Sequence, residues 1–168
     1  MKNLELHFAA QDGDVNEIIR LVASGIDVNI LDQHGSTPLK YASSETSLAA
    51  IRKLIELGAD VNLTDDKGFS ALHCTAGHGY YKENIEIARV LLDAGADINI
   101  QSKPPLSFVP LHEVRGLNMI KLLLSHGADP TILNGDGQVP EEYLLEEDYK
   151  EEANYIRSYR ETKNITRS

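Results

Sequence analysis

Between residues 15 and 22 the apolar positions are Val15, Ile18, Ile19, Leu21 and Val22, with Asn16, Glu17 and Arg20 between them. That spacing predicts a helix with one apolar stripe and one polar face. Ahead of it, His7-Phe8-Ala9-Ala10 is a short, Ala-rich stretch that predicts a first helix small enough for close stacking, and Gly13 turns the chain between the two. Gly25 follows the second helix where a left-handed cap residue is expected. Near the other end, Leu144, Leu145, Tyr149, Ala153, Ile156 and Tyr159 put an apolar stripe on a further helix pair with a charged back.

The same unit recurs. Gly25-Ile26-Asp27-Val28-Asn29 returns as Gly-Ala-Asp-Val-Asn at 58–62, Gly-Ala-Asp-Ile-Asn at 95–99 and Gly-Ala-Asp-Pro-Thr at 127–131. Thr37-Pro38-Leu39-Lys40 returns as Ser70-Ala71-Leu72-His73 and Val109-Pro110-Leu111-His112, with degenerate copies at Leu4-Glu5-Leu6-His7 and Val139-Pro140-Glu141-Glu142. Twenty-one residues separate the second string from the next glycine in the first two units, and 12 lead from that glycine to the next copy, giving a period of 33. Pro38 and Pro110 stand where a helix starts, where a missing N–H costs nothing, and Thr37 is a good N-cap. A unit this small cannot bury its own apolar face and must share a core with its neighbours.

A 33-residue unit with Thr-Pro-Leu-His opening one helix and Gly-Ala-Asp closing the next resembles the ankyrin repeat. The resemblance covers about residues 4–145. It implies an all-α solenoid of helix-turn-helix repeats with β-turn finger loops: four repeats, at about 1–31, 32–64, 65–102 and 103–133, then a C-terminal capping repeat at 134–160. A tail at 161–168 is expected to fray. The whole chain is expected to be one domain.

The period breaks in one region. Ser70 to Gly95 is 25 residues, the surplus falling in Tyr80-Tyr81-Lys82-Glu83-Asn84. The next turn, Gly95 to Val109, is 14 and contains Lys103-Pro104-Pro105-Leu106-Ser107-Phe108; the fourth unit, Val109 to Gly127, is only 18. Tyr80 and Tyr81 suit a binding surface, or else a cover over the gap left by the short fourth unit. Leu106 and Phe108 on a Pro-stiffened finger are expected at an interface, where preordered apolar anchors lose little entropy on association.

Composition narrows the class. A formal net charge of −10, from 26 acidic against 16 basic side chains, argues against nucleic-acid or anionic-membrane partners and favours a protein partner with a basic patch. The single cysteine, Cys74, excludes an internal disulfide and fits a reducing, cytoplasmic location. No stretch has signal-peptide or membrane-span character, and the Asn-X-Thr triplets at Asn62 and Asn164 then carry no meaning. His73, Cys74 and His78 could form a nucleophile–base pair or part of a zinc site. Yet His73 is the repeat's own histidine, like His7 and His112, which the resemblance implies bonds within the turn and joins neighbouring units. No further Cys or His stands at zinc spacing, so neither cofactor nor metal is expected, and an enzyme is the remote alternative.

The resemblance further implies that a partner sits on the concave face, against finger tips and the exposed sides of the first helices. Carried over position by position, the expected contacts are Leu31, Gln33, His34, Ser36, Asp66, Lys67, Phe69, Leu106, Phe108, Leu133 and Asp136 on fingers, and Glu45 and His78 on first helices, with Tyr80 and Tyr81 added from the insertion. Apolar tips over an acidic floor (Asp12, Glu45, Asp66, Asp136, Glu146, Glu147) suit a basic protein surface. The chain resembles the small acidic ankyrin proteins of bacteria that neutralise toxins, which would make it an inhibitor and immunity protein, monomeric when free. A scaffold or a host-directed effector adaptor is the alternative.

Overall fold

A computed structural model describes residues 4–166. Among them are ten helices and no β-strand, the extended backbone being limited to an isolated bridge between Thr64 and Ser70. Five helix pairs follow one another: α1 (Glu5–Asp12) with α2 (Val15–Ala23), α3 (Pro38–Ser44) with α4 (Leu48–Glu56), α5 (Ala71–Gly77) with α6 (Lys82–Asp93), α7 (Pro110–Glu113) with α8 (Leu117–Ser125), and α9 (Pro140–Glu146) with α10 (Lys150–Lys163). First helices pack on first helices from α1 to α9, and second helices on second helices from α2 to α10. The result is the expected solenoid.

The local chemistry explains each boundary. Thr37 Oγ1 accepts the Lys40 N–H and Ser70 Oγ the His73 N–H, capping α3 and α5. Gly25 and Gly58 close the second helices at φ 97° and 93° with nothing near a would-be Cβ, so glycine is needed there for its backbone angle alone. The core is a repeated layer. Leu6, Leu39, Leu72 and Leu111 from the first helices, and Ile18, Ile51, Ile87 and Ile120 from the second, are buried at equivalent positions. Burying one such side chain is worth about 1.5–3 kcal/mol. In the fifth copy the leucine is replaced by Glu141, which is buried and meets Arg157 at 3.5 Å and Arg160 at 3.0 Å. The last layer is therefore ionic at that position, as suits an end cap, while Leu144, Ala153 and Ile156 remain in the core.

Three sets of hydrogen bonds hold the register. Histidine joins units: His7 Nε2 lies 3.0 Å from the Ser36 carbonyl, His73 Nε2 2.9 Å from that of Phe108, and His112 Nε2 3.2 Å from that of Gln138. In the second unit Lys40 takes the histidine's place and forms a largely buried ion pair with Asp65 of the next finger. Asparagines form the second set, with Asn29, Asn62 and Asn99 accepting the N–H of Asp60, Asp97 and Asp129 in the following unit at 2.7–2.9 Å. The third runs through the finger backbones: Asp66 N–H to His34 O (2.9 Å), Lys103 N–H to Lys67 O (2.8 Å) and Gly135 N–H to Leu106 O (2.7 Å).

The irregular units also follow from their sequence. The four surplus residues lie at the turn into and the start of α6, which runs to 12 residues against 9 in α2, α4 and α8, while α7 is cut to 4. Arg115 mends the cut: its backbone N–H reaches Ala76 O at 3.0 Å, its guanidinium holds the carbonyls of Glu113 and Val114, and it lies 4.0 Å over the Tyr149 ring. Tyr80 spans the gap, donating to Glu152 at 3.3 Å, and the same buried carboxylate takes the Gly116 N–H at 3.2 Å. Tyr80→Phe is therefore expected to lose about 0.5–1.5 kcal/mol in urea denaturation, with Tyr81→Phe neutral; equal effects would remove the bridge. The last helix continues past Arg160 to Lys163, ending at Asn164 in the left-handed region, where Ile165 N–H bonds Arg160 O.

Candidate protein-binding face

Three of the four fingers are built around one side chain that accepts two backbone N–H groups. Asp32 Oδ1 takes those of His34 and Ser36, Asp65 Oδ1 those of Lys67 and Phe69, and Asn134 Oδ1 those of Asp136 and Gln138, all at 2.7–3.0 Å. In the longer third finger Ser102 Oγ accepts one such group, the Phe108 N–H. These bonds also settle charge. Burial would raise the Asp32 and Asp65 carboxyls, but the N–H donors, with Tyr41 on Asp32 and the Lys40 ammonium on Asp65, hold both below the usual carboxylate range.

The tips so fixed present Leu31, Leu106 and Leu133 to solvent, 42%, 41% and 44% exposed. Gln33 and His34 are exposed and lie 3.1 Å apart, and Asp66, Lys67 and Asp136 are exposed beside them. Ser36 is half-buried, its carbonyl taken by His7. Phe69 is half-buried, edge-on to His73 at 5.3 Å.

Phe108 is not a tip. It is 7% exposed, stacked on His112 at 5.4 Å and against Tyr143 at 4.7 Å. The short α7 leaves room for the ring, and the cap's Tyr143 covers it. Its place is in the stack, against the expectation of an interface role.

Glu45 and His78 are exposed C-caps of α3 and α5. Tyr80 and Tyr81, each 62% exposed, follow α5 at the turn into α6. That places them at the far end of the first helix from the fingers, about 10 Å along a 7-residue helix. The structure thus gathers the finger residues into one row and leaves the two tyrosines on another edge.

A further row was missed by reading finger positions alone. Phe8, Tyr41, Cys74, Glu113 and Tyr143 each follow the repeat's His, Lys or Glu position along the first helices. Phe8 is exposed and the other four half-buried. Burial pushes the Cys74 thiol, the Glu113 carboxyl and the Tyr143 phenol up; burial and the bond to Asp32 do the same for Tyr41. The signal was available, because the position after Thr-Pro-Leu-His recurs with the repeat.

The alternative chemistry finds little support. His73 is buried with both ring nitrogens engaged, Nδ1 by Ser70 N–H at 3.2 Å and Nε2 by Phe108 O. His78 Nδ1 lies 2.8 Å from the Cys74 carbonyl. A thiol raised by burial is also a poor nucleophile. Among the described residues no group of three His, Cys, Asp or Glu is placed to hold a metal, and no helix is long and apolar enough to cross a membrane.

The sequence model for ankyrin repeats, in three copies, matches residues 6–102. The chain belongs to the ankyrin repeat family. Ankyrin relatives include FPV232, an ankyrin repeat protein of fowlpox virus, 39% identical over 136 residues that make up 80% of this chain and 28% of the viral protein. Another from the same virus, FPV230, is 29% identical over 145 residues, 84% of this chain and 74% of that one. The ankyrin repeat, SAM and basic leucine zipper domain-containing protein 1 of Colobus guereza is 29% identical over 125 residues, 71% of this chain and 18% of its own length. The chain thus spans less than a third of the first of these relatives. Ankyrin repeats are in general non-catalytic modules for protein–protein interaction.

Proposed function

We propose that this ankyrin array binds a protein carrying a basic surface, seated on the finger tips and first helices. The observation behind this is the alternation of exposed Leu31, Leu106 and Leu133 with the exposed carboxylates Glu45, Asp66, Asp136, Glu146 and Glu147. Carboxylates steer a basic surface into encounter, and apolar tips on hydrogen-bonded fingers slow its departure. On a partner whose basic patch is its own active-site cleft, as in a nuclease toxin, such seating is inhibition by occlusion. That is how a bacterial immunity protein would act in a reducing cytoplasm, as a monomer when free. The adaptor reading draws on FPV232 and the Colobus relative, in which the matched region is a small part of a longer protein.

The test is capture from native extract at low and at high salt, identification by mass spectrometry, and titration of the purified partner. Replacing Leu31 and Leu133 together by Ser is expected to weaken binding by tenfold or more, on the order of the loss of one interface anchor. Affinity unchanged by salt removes the electrostatic part. Affinity unchanged in the double variant removes the finger face.

A further inference from the structure

Between α1 and α3, below the first finger, lies a cavity of about 250 Å³ lined by Gln11, Ser36, Lys40, Tyr41, Ser44 and Glu45. Its charges are lopsided. The Glu45 carboxylate is exposed, and its hydrogen bond from the Gln11 amide is a long one at 3.5 Å. Tyr41 donates its hydroxyl to Asp32 at 3.0 Å, which brings a second carboxylate behind the ring. Lys40 supplies the one ammonium among the lining residues, and it is spent on Asp65, with both side chains largely buried. The lining thus carries one carboxylate and one ammonium, and Asp32 and Asp65 behind it tip the balance to three carboxylates against that ammonium. Asp32 and Asp65 stay ionised because the finger N–H groups and Lys40 hold their carboxyls low. The Tyr41 ring, braced edge-on by His7 at 5.0 Å, forms a half-buried wall.

We infer that this cavity receives an arginine side chain of the partner. The inference rests on the concave-face reading and narrows it to one anchoring residue. Glu45 offers a two-oxygen acceptor to a forked guanidinium, and Tyr41 offers a ring for its flat face. A lysine ammonium would satisfy the charge alone, as a point, without stacking or forking.

The full chain, labelled with nitrogen-15, is titrated with acetyl-Gly-Arg-Gly-amide, and in parallel with the citrulline and lysine versions of that peptide. Saturable amide shifts at Gln11, Tyr41, Ser44 and Glu45 are expected with the arginine peptide, several-fold weaker binding with lysine and none with citrulline. Glu45→Gln, at an exposed helix end, abolishes the response with its spectrum otherwise unchanged, whereas Glu146→Gln leaves it intact. Citrulline or lysine binding as well as arginine, shifts spread evenly over all acidic positions, or no shifts at all would each overturn the pocket. If that happens while the Leu31 and Leu133 double variant still loses the partner, the arginine site falls and the finger face stands.

Discussion

Lowering the pH from 7 to 5 will cost the fold about 2 kcal/mol through His112 alone. Burial pulls this imidazole down to about 4 from 6.5. Its geometry agrees, because Nδ1 accepts the Val109 N–H at 3.2 Å, which leaves Nε2 to donate to the Gln138 carbonyl. A proton on Nδ1 would set two donors against each other. In the unfolded chain the same residue titrates near 6.5. Between those values the unfolded state holds the proton and the native state does not, so stability is full above the unfolded value and falls with pH below it. His73, also lowered by burial, adds in the same direction. Asp32 and Asp65 do not enter this window. Their carboxyls are held low, so what they contribute is lost only in stronger acid. Urea denaturation at pH 7, 6 and 5 measures the slope, and His112→Gln should flatten it. A midpoint that does not move over this range would show that the imidazole is not held neutral.

Gly135→Ala is expected to destabilise by about 2–4 kcal/mol, summing overpacking and a lost backbone bond. A Cβ there would stand 1.5 Å from the Pro105 carbonyl oxygen and 2.7 Å from its carbon. Those are backbone atoms, so no side chain can swing aside. The fourth finger would have to retreat, giving up the Gly135–Leu106 bond and the bond from Gln101 to Leu133 O at 3.1 Å. Gly25→Ala is the comparison. It meets nothing within 4 Å and bears only the strain of its φ of 97°, about 1–2 kcal/mol. Thermal unfolding followed by circular dichroism ranks the two; Gly135→Ala no worse than Gly25→Ala would mean the third and fourth fingers are not packed as described.

The fold was legible because two short strings recur in fixed phase, and each has a mechanical meaning: glycine where φ is positive, Thr-Pro or its equivalent where a helix begins. The finger tips were legible for the same reason. Phe108 was not. Nothing in Lys103-Pro104-Pro105-Leu106-Ser107-Phe108 tells that Tyr143, 35 residues later, closes over the ring; that depends on how far α7 is cut. Tyr80 and Tyr81 look alike in sequence, yet the Tyr80 hydroxyl reaches Glu152, 72 residues away. The finger anchors Asp32, Asp65, Ser102 and Asn134 recur visibly, but their role is a count of accepted N–H groups, which takes coordinates to see. Lys40 stands where other units carry histidine, and its ion pair with Asp65 makes it a joint of another kind.

That substitution has a consequence in acid. The joint between the second and third units is an ion pair, and those on either side of the fourth unit rest on uncharged imidazoles. Imidazoles take up protons before a carboxylate held low does. As protons accumulate, the couplings through His73 and His112 slacken while the clasp between the second and third units stays shut. An array built from like parts therefore answers acid differently from joint to joint, and a single lysine sets the difference.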